Sequence, residues 1–235
     1  MVNKRLKKYS ILGVLFFLPV IFLLFLYPSK HNYNALDIVN ENVSDISNFS
    51  QENQLKNNIT VLGFFGKNPL DKVITASNLK ELVYDKFKGF KKFQIIVLLP
   101  DGTQEEVKKL EREIRNGDEL KYWHFVFASE GAIKNIFSSL STNTSLDASL
   151  ATDQVYIIDK DLNQRGRIDD REDFEIEKNK PIYGLESYNC VEVAEIKNKM
   201  SEDVRILFTE YRQKRKGNFD SSARRASDLK NNDEK

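Results

Sequence analysis

The sequence predicts an α/β domain, with a central mixed sheet covered by helices on both faces, behind an N-terminal transmembrane helix. Three observations predict it. Ser10 to Tyr27 is an 18-residue run without a charge. From Ile59 onward, short apolar runs alternate with segments whose apolar residues recur at spacings of three and four. Phe93 to Leu99 is apolar almost throughout, as expected for a central strand buried on both sides.

The N-terminal run comes first. At about 1.5 Å per residue it spans roughly 27 Å, close to the thickness of a hydrocarbon core. Lys4, Arg5, Lys7 and Lys8 precede it, so residues 1–9 are expected in the cytoplasm and the rest of the chain outside it. A cleaved signal peptide has a shorter apolar core and a small-residue cleavage site. Here the run ends Leu26-Tyr27-Pro28-Ser29-Lys30, and no Cys follows to carry a lipid. Residues 10–27 therefore read as an uncleaved signal anchor in the inner membrane, single-pass, with the C-terminal domain in the periplasm. Pro19 is tolerated in such a helix. Residues 28–58 are rich in Asn and Ser, lack periodicity and read as a linker with an end-to-end distance of about 30 Å. The sequons at Asn42, Asn48, Asn58 and Asn143 have meaning only in a eukaryotic secretory pathway.

Residues 59–213 carry the domain. Ile59 to Phe65 is the first strand. Ser77 is placed to cap a helix with Leu79, Leu82, Val83 and Phe87 on one face. After the strand at Phe93, Thr103 and Glu106 form a capping box for a helix that turns Val107, Leu110 and Ile114 inward. Tyr122 to Phe127 is a third strand, and Ser129 caps a helix bearing Ile133, Ile136, Phe137 and Leu140. Gln154 to Asp159 and Gln164 to Ile168 flank a turn at Lys160 to Asn163, a hairpin. Asp169 to Pro181 is a charged surface loop. Asn189 and Glu192 open a last helix with the stripe Val193, Ile196, Met200, Val204, Leu207 and Tyr211. Residues 214–235 are polar, charged and expected to be disordered. Right-handed crossovers on this order give a largely parallel sheet with an antiparallel hairpin at one edge, the thioredoxin-like arrangement with one inserted helical unit.

Composition narrows the function. The chain holds 36 Lys and Arg against 35 Asp and Glu; without the four N-terminal cations the remainder is 32 against 35, about −3. That balance argues against a nucleic-acid partner. With one cysteine, Cys190, no intramolecular disulfide forms, and stability must come from an ordinary core.

Four segments in order resemble the SCO/SenC family, membrane-anchored thioredoxin-fold proteins that help assemble the copper site of cytochrome oxidase. They are ITVLGFFG, FQIIVLLPDGTQEEVKKLEREI, FVFASEGAIKNIFSSL and DQVYIIDKDLNQRGRI, together covering roughly residues 59–168. That family holds copper with a Cys-x-x-x-Cys pair after the first strand and a His before the hairpin. Aligned on Gly63-Phe64-Phe65-Gly66, the two Cys positions fall near Leu70 and Ile74. Aligned on Val155-Tyr156-Ile157, the His position falls at Ala151. Thiolates select Cu(I), and Leu, Ile and Ala have no lone pairs to offer. The only Cys lies about 120 residues later. The resemblance thus implies a degenerate relative that keeps the scaffold and lacks the site, with no metal and no cofactor.

Other residues have a functional and a plain reading. Cys190, in the predicted first turn of the last helix, is a reactive thiol favoured by the helix dipole or a small packing residue. Asp159, Asp161, Asn163 and Asp170 match parts of a calcium loop, but Gln164 stands where the tight turn needs Gly, so a hairpin turn accounts for them better. His124 reads as a sheet residue and His31 as a linker residue. Arg212, Lys214, Arg215 and Lys216 suit the negative end of a helix dipole, or contact an anionic lipid or acidic partner. Residues 178–190, with Tyr183, Gly184 and Tyr188, form a partner surface or a cover over one sheet edge.

The sequence therefore points to a non-catalytic, membrane-anchored accessory protein with a protein partner, possible catalysis resting on Cys190 alone. A single-thiol redox enzyme and a structural subunit of a membrane complex are the alternatives.

Overall fold

The computed structural model describes residues 4–26, 35–50, 52–115 and 117–215. It comprises two units, Met1–Asn34 and Ala35–Lys235. The first holds helix α1, Lys4–Leu26, with Pro19 inside it. Its window Lys7–Leu24 has a mean hydropathy of 1.8 and is long and apolar enough to cross a membrane. Tyr27 at the end of the expected anchor, His31 in the expected linker and residues 216–235 of the expected tail lie outside the described residues, while Lys214 and Arg215, expected in that tail, are the last residues of a helix.

The second unit is built on a seven-stranded sheet in the order β1-β6-β5-β2-β3-β4, with β7 also paired to β5. The strands are β1 Asp37–Asn40, β2 Ile59–Phe65, β3 Phe93–Pro100, β4 Trp123–Ala128, β5 Ala151–Ile158, β6 Gln164–Gly166 and β7 Tyr188–Asn189. β2, β3 and β4 run parallel, while β5 returns antiparallel beside β2. A strand flanked on one side by its parallel successor and on the other by the antiparallel hairpin is the core of a thioredoxin-like fold, with α3 and β4 as the inserted unit. The helices are α2 (Val73–Leu79, a widened π-type turn Lys80–Tyr84, then Asp85–Phe87), α3 (Gln104–Arg115), α4 (Glu130–Ser138), α5 (Asp173–Glu177) and α6 (Val193–Glu195, a second widened turn Ile196–Met200, then Ser201–Arg215).

Alternation along the strands sends side chains into two cores. Val61, Ile95, Val97 and Ile157 pack under α2, α3 and α6 against Leu79, Leu110 and Leu207. Leu62, Phe64, Ile96 and Tyr156 face the other way, onto Ile133 and Ile136 of α4. Phe64, Phe137 and Tyr156 meet edge to face there, with ring centroids 5.3 to 6.2 Å apart.

Part of the expected linker is domain. β1 pairs antiparallel with β6. Val43, Ile46 and Leu55 are buried in the second core beside α4. No helix or strand period links these three residues, because a carboxylate organises the segment. Asp45 Oδ1 accepts the N–H groups of Ile46 (2.7 Å) and Leu55 (2.8 Å). The predicted helix starts also shift. α2 begins at Val73, so Ser77 lies inside it. Thr103 does not close a capping box; its hydroxyl donates to the Pro100 carbonyl at 2.9 Å. Ser129 does cap α4, accepting the Ala132 N–H at 3.3 Å. The charged segment after Asp169 contains α5, closed by a capping box between Glu172 and Glu175.

Arg165 in β6 and Arg167 just past its end fasten the last helix to the sheet. Arg165 is buried, and its guanidinium bonds Asp159 Oδ2 (3.0 Å), Glu210 Oε2 (2.7 Å), and the carbonyls of Leu36 and Asp37. Arg167 grips Asp203 through Nε (3.0 Å) and Nη2 (2.8 Å) and reaches Asp170 through Nη1 (2.8 Å). Tyr188 donates its hydroxyl to Asp203 at 2.8 Å. Burial pushes the Asp203 carboxyl up, and Arg167 and Tyr188 only partly reverse it. Removing one member of a buried ion pair strands its partner's charge, at about 3–5 kcal/mol. Arg165→Ala is therefore expected to lose about that much stability in urea unfolding, whereas Arg205→Ala, which breaks an exposed pair with Glu202, should lose less than about 1 kcal/mol.

Candidate functional site

The end of β2 is where the SCO/SenC resemblance puts the chemistry. Gly66 follows β2 with a positive φ of 67°. A Cβ there would stand 2.5 Å from the Ser149 carbonyl and 2.8 Å from Ala151 Cβ, so the loop after β2 presses directly on the start of β5. Lys67 N–H donates to that same Ser149 carbonyl at 2.8 Å. Asp147 holds the facing turn, its Oδ1 accepting the N–H groups of Ser149 (2.8 Å) and Ala151 (2.9 Å) and the Ser149 hydroxyl (2.7 Å).

Ala151 is buried opposite Phe65 in register. Leu70 sits on a 3-10 turn, Pro69–Lys72, and is 38% exposed; Ile74 lies in the first turn of α2 and is 66% exposed. Two aliphatic side chains thus face solvent at the corner.

Beside them stands a polar cluster that motif reading missed. Lys72 Nζ lies 2.9 Å from Asp153 Oδ1, and the Thr75 hydroxyl donates to the same oxygen at 2.7 Å. Lys72 and Thr75 are three apart on the entry to α2, and Asp153 is the third residue of β5. Burial pushes the Asp153 carboxyl up, but Thr75 and Lys72 outweigh it and leave it below the usual carboxylate range. Asp147 is held low in the same direction: burial raises it, while its bonds to Ser149 and Ala151 and the charge of Lys72 prevail. An anion so stabilised is a poor proton acceptor near neutral pH. The cluster can pin α2 to β5; as a general base it is weak. Its only sequence signal is a Lys and a Thr at i, i+3, and the partner lies 81 residues from Lys72.

Cys190 does not lie in the first turn of the last helix. It sits between β7 and α6, fully buried among the first core's side chains. α6 starts at Val193, so the dipole argument for a thiolate lapses. Its N–H donates to the Asp153 carbonyl at 2.9 Å, and its own carbonyl accepts Asn78 Nδ2 at 2.9 Å. Burial first, then the charges of Asp153 and Glu195, push the thiol well above its ordinary value.

The remaining residues sort as follows. Asp159 Oδ1 accepts the N–H groups of Asp161 and Asn163, both at 2.9 Å, and Asp170 pairs with Arg167 and Lys199. Those oxygens build a hairpin turn and an ion-pair network. His124 lies in β4, half-buried, where burial lowers its pKa. Of residues 178–190, the second half joins the sheet: Leu185 exchanges both backbone bonds with Arg167 (2.8 and 2.9 Å) and Tyr188–Asn189 pairs with β5, while 178–184 are exposed. Tyr183 there donates to Glu175 at 2.6 Å, and the bond holds Glu175 down at about 2 and pushes Tyr183 up to about 12. The basic end of α6 joins residues from three other parts of the chain, taken up below.

No protein-family model matches the chain, and no curated protein does. Among solved structures it is similar to several thioredoxin-like proteins, three of which follow. The first is the thioredoxin domain of a thiol-disulfide oxidoreductase from Bacteroides vulgatus, with 17% identity, 51% of this chain and 76% of that one covered, and a TM-score of 0.33. The second is a candidate protein disulfide isomerase from Bacteroides thetaiotaomicron, at 12%, 74%, 90% and 0.39 in the same order. The third is the copper-bound ScoI of Bradyrhizobium japonicum, at 11%, 65%, 87% and 0.33.

A pH dependence follows from the corner's carboxylates. The folded pKa values of Asp147 and Asp153 are depressed, so their contribution to stability is complete above the unfolded value of about 3.9 and fades as pH falls through the folded values. Thermal unfolding should show a loss below about pH 4 that shrinks in Asp153→Asn, whose side chain cannot titrate. An unchanged acid slope in that variant would contradict the assignment.

Proposed function

We propose that this chain is a non-catalytic, membrane-tethered accessory protein whose thioredoxin-like domain faces the periplasm and binds a protein partner. One observation carries the reading. At the strand-to-helix corner, the reactive groups' positions hold Leu70 and Ile74, exposed, and a Lys72–Asp153–Thr75 cluster whose charges answer one another. An ammonium next to the corner disfavours a metal cation, and a thiol nucleophile must be a thiolate within reach of its substrate. Cys190 meets neither requirement, being buried with a raised pKa. Helix α1 supplies the tether, with its four flanking cations on the cytoplasmic side. The SCO/SenC resemblance points to cytochrome oxidase assembly as the setting, with this chain as a partner-binding relative rather than the copper donor.

The test uses the full chain in detergent. Iodoacetamide is expected to leave Cys190 unmodified at neutral pH until denaturant is added, and Cu(I) titration is expected to show no tight stoichiometric binding. A photo-crosslinker placed at Ile74 is expected to trap a protein of the cell envelope in vivo. Rapid alkylation of the folded chain with an apparent pKa below about 7 would overturn the reading in favour of a single-thiol enzyme. Stoichiometric tight copper would overturn it in favour of a metal carrier.

A further inference from the structure

The opposite end of the sheet holds a cleft of ≈ 650 Å³ that the corner chemistry does not touch. Its walls come from four parts of the chain: the start of β2 at Ile59, the turn Gly89-Phe90-Lys91 after α2, Lys160 in the β5–β6 turn, and the last two turns of α6 with Phe208, Tyr211, Arg212, Lys214 and Arg215. Phe90 and Phe208 form the apolar side, with ring centroids 4.4 Å apart. Phe90 is 47% exposed at the rim. Tyr211 lies between two cations, with Lys160 Nζ 4.6 Å and Lys214 Nζ 5.3 Å from its ring centre.

The charge around this cleft is one-sided. Lys214 answers Glu210 at 2.8 Å, and the Tyr211 hydroxyl donates to Asp161 at 3.3 Å. Among the described residues no carboxylate stands within ion-pair distance of Lys91, Lys160, Arg212 or Arg215. Burial, then repulsion from Arg215 and Lys92, lowers the Lys160 pKa against a smaller pull from Asp161. The helix dipole at the C-terminus of α6 accounts for cations on the helix itself. It does not account for Lys91 and Lys160, which other elements carry to the same cleft beside exposed aromatic rings.

We propose that this cleft binds a phosphate-type anion attached to an apolar body, with the anion on Lys160, Arg212 and Arg215 and the apolar part on Phe90, Phe208 and Tyr211. The favoured source is the headgroup of an anionic lipid. The chain enters the domain next to the cleft, since Arg165 joins the Leu36 carbonyl to Glu210, and Glu210 joins Lys214. Ten residues separate Leu26 of α1 from Asp37 of β1, at most about 35 Å of extended chain. The site itself is independent of the non-catalytic reading; only the choice of source leans on the anchor.

The test is lysine footprinting of the full chain in nanodiscs of phosphatidylcholine, with and without phosphatidylglycerol, and in phosphatidylcholine nanodiscs with added inorganic phosphate. Acylation of Lys91 and Lys160 is expected to slow with phosphatidylglycerol and to recover at high salt, while Lys108, an exposed lysine on α3, labels equally throughout. In Lys160→Gln/Arg212→Gln/Arg215→Gln, protection is expected to weaken by about fivefold per charge removed, and Phe90→Ala should weaken it with the charges intact. Protection by inorganic phosphate in phosphatidylcholine nanodiscs would support the site with a soluble ligand as its source. Equal labelling in all three conditions, with circular dichroism showing the chain folded, overturns the proposal.

Discussion

One buried guanidinium decides how the parts of this domain meet. Arg165 lies under three segments at once, and a charge in that position is tolerable only if every one of its donors finds an acceptor. The acceptors come from the hairpin turn (Asp159), the last helix (Glu210) and the chain entering the domain (the Leu36 and Asp37 carbonyls). None of the three can shift without stranding charge on the others. Arg167, two residues on and just past the end of β6, repeats the arrangement about two turns earlier in the same helix with Asp203. Gln164 points to the other face and closes that side, its amide donating to the Ser141 and Glu186 carbonyls at 2.8 Å each. A three-residue strand thereby fixes the helix on one face, the loops on the other and the added strand β1 at its edge.

With the frame held from that side, the opposite flank of β5 can come very close to the loop after β2. The contact between Gly66 and the segment Ser149 to Ala151 leaves no room for even a methyl group at position 66. The segment Asp147 to Ala151, drawn tight by one carboxylate, enforces that approach. The same strand that meets Gly66 at Ala151 brings Asp153 to Lys72 and Thr75. The exposed aliphatic side chains and the ion pair that pins α2 to β5 are therefore parts of one local packing, in which Lys72, Thr75 and Asp153 satisfy each other.

Much of the fold was legible because it rests on periodicity. Ile59–Phe65 and the apolar run from Phe93 were readable as strands, and Ile133, Ile136 and Ser129 as a capped helix, since burial on one side leaves a repeat in the sequence. Residues 35–58 were misread as linker because a hub rather than a repeat holds them: Asp45 gathers backbone donors ten residues apart, and composition there is that of a flexible chain. Cys190 was misplaced by the same limitation. Asn189 and Glu192 look like helix-start residues, yet Asn189 pairs in β7, and only the sheet partner at Gln154 explains why. The corner cluster and the basic cleft were illegible for a further reason: each assembles residues from distant segments, and neither Lys160 nor Asp153 carries a local sign of its partners.

The two ends of the sheet are accordingly opposite in character. At the C-terminal end of β2, Lys67 pairs with Glu130 and Lys72 with Asp153, and Leu70 and Ile74 are exposed beside them. At its N-terminal end, four cations stand without a carboxylate partner among the described residues, around three rings, one of them half in water. Exposed, unneutralised charge next to exposed aromatic surface is unfavourable for an isolated domain, both through repulsion and through apolar hydration, and the cation–π contacts of Tyr211 relieve only part of it. A packing that neutralises one end so thoroughly and leaves the other in that state is most simply understood if the second end meets an anion from outside. On that argument the two ends of the sheet suit different chemistry: the corner presents aliphatic surface, as an apolar protein contact would need, and the cleft across the sheet presents cations and rings, as an anion would need.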